Sequence, residues 1–146
     1  MIHVVMDTNV LINALFHNDK YAQKLLSCIA GNRIKLVVSE AIAVEYLDIV
    51  MLHAVSAGLT LDQAKKPLRK LIKTLLSGKL VAPKIRLKIV SDDPEDDKFF
   101  ECAYEADVTV IVTQDGDISA VEQASTCTGK QIKIYSPWRF LQDYIL

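Results

Sequence analysis

Short apolar runs alternate along the chain with longer segments in which apolar residues recur every three or four positions. Runs at residues 2–6, 34–38, 108–113 and 132–135 have the length of buried strands, and a shorter edge strand is predicted within 80–90. Strands of a parallel sheet are covered on both faces, so they read as nearly continuous apolar runs rather than as alternating ones. The pattern therefore predicts a sheet whose strands run parallel.

Helices are predicted between these runs, because the apolar residues there form one face and a capping residue comes first. Asn18 or Asp19 can cap one helix, Ser39 the next and Ser136 the last, while Thr60 and Gln63 have the spacing of a capping box. Asp93 is a further predicted cap, followed by Pro94 in the first turn. The predicted helices lie near residues 19–30, 39–57, 60–77, 93–106 and 118–125, and a last one begins at residue 137.

Two residues are expected to interrupt these helices. Gly31 offers a left-handed stop, and Pro67 should kink its helix or begin a second segment. Strands and helices that alternate in this way predict a three-layer α/β/α fold with a central parallel sheet, similar to the Rossmann fold. No linker or repeat divides the chain, so residues 1–146 are expected to form a single domain.

Composition excludes several classes of protein. The longest apolar runs are about six residues, which is far too short to span a membrane. The first strand begins at residue 2, so no signal peptide is expected before it. Cys28, Cys102 and Cys127 lack a CxxC spacing and are expected to be buried thiols in a reducing cytoplasm.

The net charge of −1 conceals a strong internal asymmetry. Residues 65–88 contain nine basic and no acidic residues, whereas the rest of the chain contains eight basic and 18 acidic residues. A basic segment beside an acidic remainder suits a protein that binds a phosphate backbone near a metal held by carboxylates. A solvated helix face is the alternative interpretation of the same charges.

Four acidic residues lie where an α/β sheet would bring side chains to one edge. Asp7 and Asp115 follow predicted strands, Glu45 lies in an apolar helical pattern, and Asp96 lies in the first turn of another helix. Ligands of doubly wound folds bind at the carboxyl ends of the strands, and carboxylates gathered there would repel one another unless a cation were bound. A site for Mg²⁺ or Mn²⁺ is therefore predicted.

Each acid also has a simpler interpretation. Asp7 could merely cap the turn that follows its strand. The helix around Glu45 is apolar nearly all round, so burial of a charged group is expected there, although a polar stripe shared with Asp48 would leave it at the surface. Residues 92–97 contain five acids, of which one or two can serve the helix N-terminus. Asp115 with Asp117 could belong to an ordinary turn.

Five segments taken together resemble the PIN domain, a nuclease fold found in many toxins of prokaryotic toxin–antitoxin systems. The resemblance covers nearly the whole chain. The last of the five segments also resembles the end of one PIN subgroup regarded as toxins. The matching segments are Val4–Leu11, Ser39–Tyr46, Asp93–Ala103, Val112–Ile118 and Ile134–Leu141.

The resemblance implies a VapC-like ribonuclease that cleaves RNA with Mg²⁺ or Mn²⁺. Asp7, Glu45, Asp96 and Asp115 fall on the metal-binding, catalytic acids of the family, and Asp117 falls on its commonly acidic fifth position. An antitoxin protein and a second copy of the chain are the partners that the family implies. Hydrolysis by a metal-activated water would leave a 3′-hydroxyl and a 5′-phosphate.

The chain departs from the family pattern at two positions. Asp97 stands where this subgroup usually has Asn, which leaves open whether Asp96 or Asp97 binds the metal. Gln114 replaces a usual Gly before Asp115. No expected acid is missing, so an inactive member of the family is not indicated.

Two other functions compete with this interpretation. A non-catalytic nucleic-acid-binding module of PIN-like fold would use the acids only for stability or for contacts with partners. A phosphoaspartate receiver shares the α/β layout, but it needs a paired acid near the first strand and a late strand-end lysine, and neither is present in the sequence.

Overall fold

Five parallel strands form the centre of the molecule. The computed structural model describes residues 1–84, 97–114 and 132–145, and the strands within these ranges are β1 (Ile2–Met6), β2 (Ile34–Ser39), β3 (Lys79–Val81), β4 (Val110–Val112) and β5 (Lys133–Tyr135). Their order in the sheet is β3-β2-β1-β4-β5, and every neighbouring pair is parallel. The predicted parallel sheet is confirmed, and β1 occupies its middle.

Six helices accompany the sheet in the described part of the chain: α1 (Thr8–Phe16), α2 (Lys20–Ala30), α3 (Glu40–Ser56), α4 (Leu61–Leu76), α5 (Asp97–Glu105) and α6 (Pro137–Tyr144). Helix α5 contacts β1, β2 and β4, whereas α2 contacts β2, α4 and α6. The expected three-layer α/β/α fold is thus confirmed. The predicted cap at Asp93-Pro94 and the helix near 118–125 lie outside the described residues.

The predicted caps that fall on described residues are present. The Asp19 carboxylate accepts hydrogen bonds from the backbone N–H groups of Tyr21 and Ala22, so Asp19 rather than Asn18 caps α2. Ser39 caps α3, and Ser136 caps α6. Thr60 and Gln63 form both hydrogen bonds of a capping box. Short side chains at these positions satisfy N–H groups that have no partner within the helix.

Helix α1 was not predicted from the sequence. Five of its nine residues are buried, and apolar residues occupy most positions from Val10 to Phe16. A helix that is apolar on most of its circumference lacks the periodicity by which an amphipathic helix is recognised. The sequence pattern of α1 therefore cannot be distinguished from that of the strand and loop before it.

Two expected interruptions differ from the structure. Gly31 has an ordinary negative φ of −83°, and the left-handed residue after α2 is Asn32, with a φ of 59°. Asparagine tolerates this conformation better than most residues because its short side chain can hydrogen-bond locally. Helix α4 continues through Pro67, whose side chain is buried, so no second segment begins there, and the alternative of a kink stays a prediction.

Helix α3 is buried along one face only, which corrects the expectation that it is buried nearly all round. Ile42, Tyr46, Val50 and Ala54 recur every four residues and are 0–3% exposed. Ile49 is partly buried beside them, and the other large apolar side chains of this helix are exposed, namely Val44, Leu47, Met51, Leu52 and Val55. Glu45 therefore lies at the margin of the buried face, where a carboxylate can reach both the interior and solvent.

The cysteines of the described ranges are reduced and buried. Cys28 and Cys102 form no disulfide, and burial raises the pKa of the Cys102 thiol to about 12. A thiol with so high a pKa carries almost no thiolate and is chemically inert. Cys127 lies outside the described residues. Among the helices described, none has both the length and the apolar character that crossing a membrane requires.

Candidate metal centre at the sheet edge

Asp7 lies at the carboxyl end of β1, the middle strand. Its backbone N–H donates to the Val112 carbonyl (2.9 Å), and its Oδ2 accepts a 2.7 Å hydrogen bond from the Thr113 hydroxyl at the end of β4. Asp7 occupies the N-cap position of α1 but makes no capping hydrogen bond with its side chain. The Thr113 hydroxyl therefore holds the carboxylate from the neighbouring strand. The backbone N–H groups of Asn9 and Thr8, at the start of α1, also stabilise its charge, so the capping interpretation stays open.

Glu45 reaches the same edge from the second turn of α3. Its Oε2 accepts a hydrogen bond from the hydroxyl of Thr8, the residue that follows Asp7. Its Oε1 lies 2.6 Å from Nζ of Lys98 on α5, and the two side chains are 27% and 12% exposed, respectively. The structure thus places Glu45 beside Asp7, whereas Asp48 on the same helix is exposed.

A buried tyrosine is hydrogen-bonded to the backbone at the end of β1. The Tyr46 hydroxyl donates a hydrogen bond to the Met6 carbonyl, and the whole Tyr46 side chain is buried. Burial raises the pKa of Tyr46 well above its usual value, and the charge of Asp7 raises it further. The phenol therefore stays protonated as a permanent donor, which holds the residue preceding Asp7 in place.

The two carboxylates differ in how their charge is balanced. Burial raises the pKa of Asp7 and the nearby charge of Glu45 raises it further, whereas hydrogen bonds from the Thr113 hydroxyl and from the backbone N–H groups of Asn9 and Thr8 lower it. Lys98 neutralises Glu45, but no ion pair reaches Asp7 within the described ranges. A partly buried carboxylate with a raised pKa favours either a proton or a cation.

The donor set suits a hard divalent cation. Asp7 and Glu45 present carboxylate oxygens near one another, and such ligands are preferred by Mg²⁺ and Mn²⁺. Within residues 1–84, 97–114 and 132–145, no three His, Cys, Asp or Glu side chains come close enough together to hold a metal. Asp7 and Glu45 are the two predicted ligands that the structure describes, and the other three, Asp96, Asp115 and Asp117, lie outside the described residues, so the metal site stays a prediction.

Helix α5 brings further acidic side chains into the interior. Asp97 is 8% exposed and Glu101, one turn later, is 5% exposed. Glu101 and Lys98 line a cavity of about 910 Å³, together with Glu45 and residues at the start of α3 and the end of β3. Burial of Asp97 keeps both Asp96 and Asp97 as candidate ligands, as the sequence had left them.

Lys98 and Thr113 are the site residues that sequence reasoning missed. Lys98 lies in the third matching segment, but its partner Glu45 is 53 positions away, and nothing local identifies that pairing. A lysine directly after a run of acids was the available signal. Thr113 closes a predicted strand, and a hydroxyl at a strand end beside an acid was a similar but weaker one.

The basic segment at 65–88 does not surround this edge as a whole. The Lys35 ammonium, near the amino end of β2, donates to the Ser77 carbonyl (2.9 Å), so the end of α4 lies at the opposite edge of the sheet. Lys84, in contrast, follows the carboxyl end of β3. The end of α4 and Lys84 therefore lie at opposite edges of the sheet, and residues 85–88 lie outside the described residues.

The fold and the edge of its sheet define the general class of the protein, a parallel α/β domain with acidic side chains at the carboxyl end of its central strand. A sequence model of the PIN domain matches residues 3–117, so the chain belongs to the PIN-domain family. The resemblance seen in the sequence is thereby confirmed.

The fold also resembles a solved structure, that of VapBC2 from Rickettsia felis bound to a DNA fragment from their promoter. The TM-score is 0.56 at 12% sequence identity, and the match covers 92% of this chain and 98% of the other. Likeness at this identity supports the fold alone. No sequence among the curated proteins matches the chain.

Proposed function

We propose that this PIN-domain protein is a metal-dependent endoribonuclease and the toxin of a toxin–antitoxin pair. The observation that carries the proposal is Asp7: a partly buried carboxylate with a raised pKa and no ion pair in the described ranges, at the carboxyl end of the middle strand and beside Glu45. Burial and the charge of Glu45 both disfavour the ionised form of Asp7, and a bound cation would favour that form. PIN domains are generally nucleases, which gives this metal site its chemistry.

The aspartates and Thr113 would have different roles at the metal. Asp7, with Asp96, Asp115 and Asp117, would hold Mg²⁺ or Mn²⁺. Bound there, the ion would lower the pKa of a water molecule and stabilise the negative charge that develops on the phosphate. Thr113 keeps Asp7 oriented through its 2.7 Å hydrogen bond. Such supporting hydrogen bonds tune a metal ligand without touching the metal.

Glu45 is suited to orienting or deprotonating the attacking water. Both of its oxygens already have partners, Thr8 on one and Lys98 on the other, so its carboxylate is fixed in position. Attack by water on a phosphodiester of RNA then leaves a 3′-hydroxyl and a 5′-phosphate. The choice of RNA, the antitoxin partner, a homodimer and a cytoplasmic location are parts of the proposal that rest on the family.

The test is cleavage of structured and unstructured RNA by the purified protein with Mg²⁺, Mn²⁺ or EDTA. Asp7→Asn should reduce cleavage to the level seen with EDTA while thermal unfolding shows an intact fold. Asp48→Asn is the matched control, because Asp48 is an exposed acid on the same helix as Glu45. Cleavage by Asp7→Asn at the wild-type rate under matched metal would show that the site assignment is wrong.

One observation favours the non-catalytic alternative. Lys98 already neutralises Glu45, so half of the described acidic pair needs no metal. A nucleic-acid-binding module with this arrangement would bind RNA equally well in EDTA and would not cut it. Saturable binding without turnover, for wild type and Asp7→Asn alike, is the result that distinguishes it.

A further inference from the structure

Two helices begin at the edge of the sheet that holds Asp7, and each carries an exposed aromatic residue beside a cation. In α2 these are Lys20 and Tyr21, and in α6 they are Trp138 and Arg139. Tyr21 is 48% exposed and Trp138 is 46% exposed. Aromatic faces beside basic side chains are the elements with which proteins bind single-stranded nucleic acid.

Trp138 is tied to the acidic site through the backbone. Thr113, whose hydroxyl holds Asp7, also donates its N–H to the Tyr135 carbonyl at 2.8 Å. Trp138 follows Tyr135 by three residues, so its Cα lies within about 11 Å of that of Tyr135. Pro137 is buried and begins α6, which makes the first turn a rigid support for the indole ring.

Helix α2 begins beside the same strand end. The Asp19 carboxylate, which caps α2, accepts a hydrogen bond from the Gln114 side chain at 3.2 Å. Gln114 lies two residues beyond β4, and α2 packs against α6. Both helices therefore start at the carboxyl edge of the sheet, with their first turns on the side from which a substrate would approach Asp7.

The aromatic residues of α6 fall into two groups. Phe140 is fully buried, and its ring stacks on Tyr144 and meets Tyr135 edge-on. Trp138 contacts no other aromatic ring among the residues described. Arg139 is paired with Asp143 at 3.4 Å, but both side chains are exposed, so this pair is weak and leaves the guanidinium available for a phosphate.

We infer that Trp138 stacks against an unpaired base of single-stranded RNA, with Tyr21 as a second stacking face and Arg139 and Lys20 at the adjacent phosphates. The inference rests on the proposed function, since it assigns a substrate-positioning residue to that site. A single strand is required because the base faces of a duplex are already stacked on one another. The chemistry selects an exposed base face rather than a particular base.

The chain contains a single tryptophan, so its fluorescence reports on Trp138 alone. Full-length protein in EDTA, where cutting is prevented, is titrated with an unstructured RNA 12-mer and with a duplex of the same length. The single strand should quench the emission saturably, and the duplex should do so at least about tenfold more weakly. A DNA 12-mer shows whether the sugar matters as well.

Variants test whether the contact contributes to binding. Trp138→Ala should weaken binding of a labelled 12-mer about tenfold or more, whereas Trp138→Phe, which keeps a ring, should stay closer to wild type. Leu76→Ala is the control, because Leu76 is 80% exposed and lies at the opposite edge of the sheet. In the active enzyme, Trp138→Ala should raise KM and leave kcat largely unchanged.

The outcomes separate this inference from the proposed function. Quenching by the single strand with loss of affinity in Trp138→Ala supports the stacking site even if no RNA is cut. RNA cleavage without quenching, or with an unchanged KM in Trp138→Ala, overturns the stacking site and leaves the nuclease proposal intact. Quenching measured on the wild type decides the question even if Trp138→Ala does not fold.

Discussion

Replacing Lys98 by Met should destabilise the metal-free protein by about 2 kcal/mol. This value lies between the ~1 kcal/mol limit of an exposed ion pair and the ~3–5 kcal/mol lost when one partner of a fully buried pair is removed. The pair with Glu45 is intermediate, because the side chains are 12% and 27% exposed and the nitrogen lies 2.6 Å from the oxygen. Methionine keeps the length of the side chain and suits a helix.

The assay is urea unfolding in EDTA of wild type, Lys98→Met, Glu45→Gln and the double variant. In a thermal melt of a chain of this length, the same loss of about 2 kcal/mol in the free energy of unfolding corresponds to a fall of roughly 4–8 °C in the melting temperature. The double variant should be more stable than the sum of the single losses predicts, because removing both charges leaves neither one unpaired in the interior. The coupling energy in this cycle measures the interaction itself.

A matched control is available in the exposed pair Lys65–Asp62. Its nitrogen and oxygen are 3.1 Å apart, but the side chains are 58% and 91% exposed, so Lys65→Met should change stability by less than about 0.5 kcal/mol. If Lys98→Met costs no more than Lys65→Met, or if the cycle shows no coupling, then burial does not strengthen the Lys98–Glu45 pair and the charge balance inferred for the site is wrong.

Two further predictions concern Asp7 directly. Without metal, Asp7→Asn should be more stable than wild type near neutral pH, since burial raises the pKa of Asp7 and the ionised carboxylate is therefore unfavourable in the folded state; each pKa unit corresponds to about 1.4 kcal/mol. The stability of the wild type relative to Asp7→Asn should be highest below about pH 4 and should fall as the pH rises through the raised pKa of Asp7. Thermal unfolding in which the wild type instead gains stability relative to the variant as the pH rises would contradict this. Thr113→Val should lower Mn²⁺ affinity by about 10- to 100-fold in titration calorimetry because it removes the hydrogen bond that orients Asp7, and an unchanged affinity would show that this bond is not needed.

Local signals explain the parts of the fold that the sequence predicted well. Ser39 and the Thr60–Gln63 pair cap their helices as expected, because a capping side chain interacts with backbone only two or three residues away. The run at 2–6 forms the middle strand, since an apolar segment of that length is covered on both faces of the sheet. In both cases the information lies within a few neighbouring residues.

Features that depend on distant residues were missed or misjudged. Helix α1 is buried on most sides by other elements, so its sequence carries no amphipathic period. The apolar surface of α3 suggested burial all round, but whether a helix face is covered depends on its neighbours in space rather than on its composition. The contact of Lys98 with Glu45 joins two segments whose proximity is a property of the fold.

The difference between Asp7 and Glu45 determines what their variants can report. Glu45 is balanced by Lys98 and held by Thr8 without any metal, so its removal should disturb the position of groups more than the binding of a cation. Asp7 is partly buried, has a raised pKa and lacks an ion pair in the described ranges, so we expect its free energy to depend on whether a cation is present. A ligand that binds only the folded state stabilises it by mass action. Replacing Asp7 should therefore abolish most of the stabilisation that added metal produces, whereas replacing Glu45 should reduce it only slightly. Equal losses for both would mean that Lys98 leaves Glu45 when the metal binds.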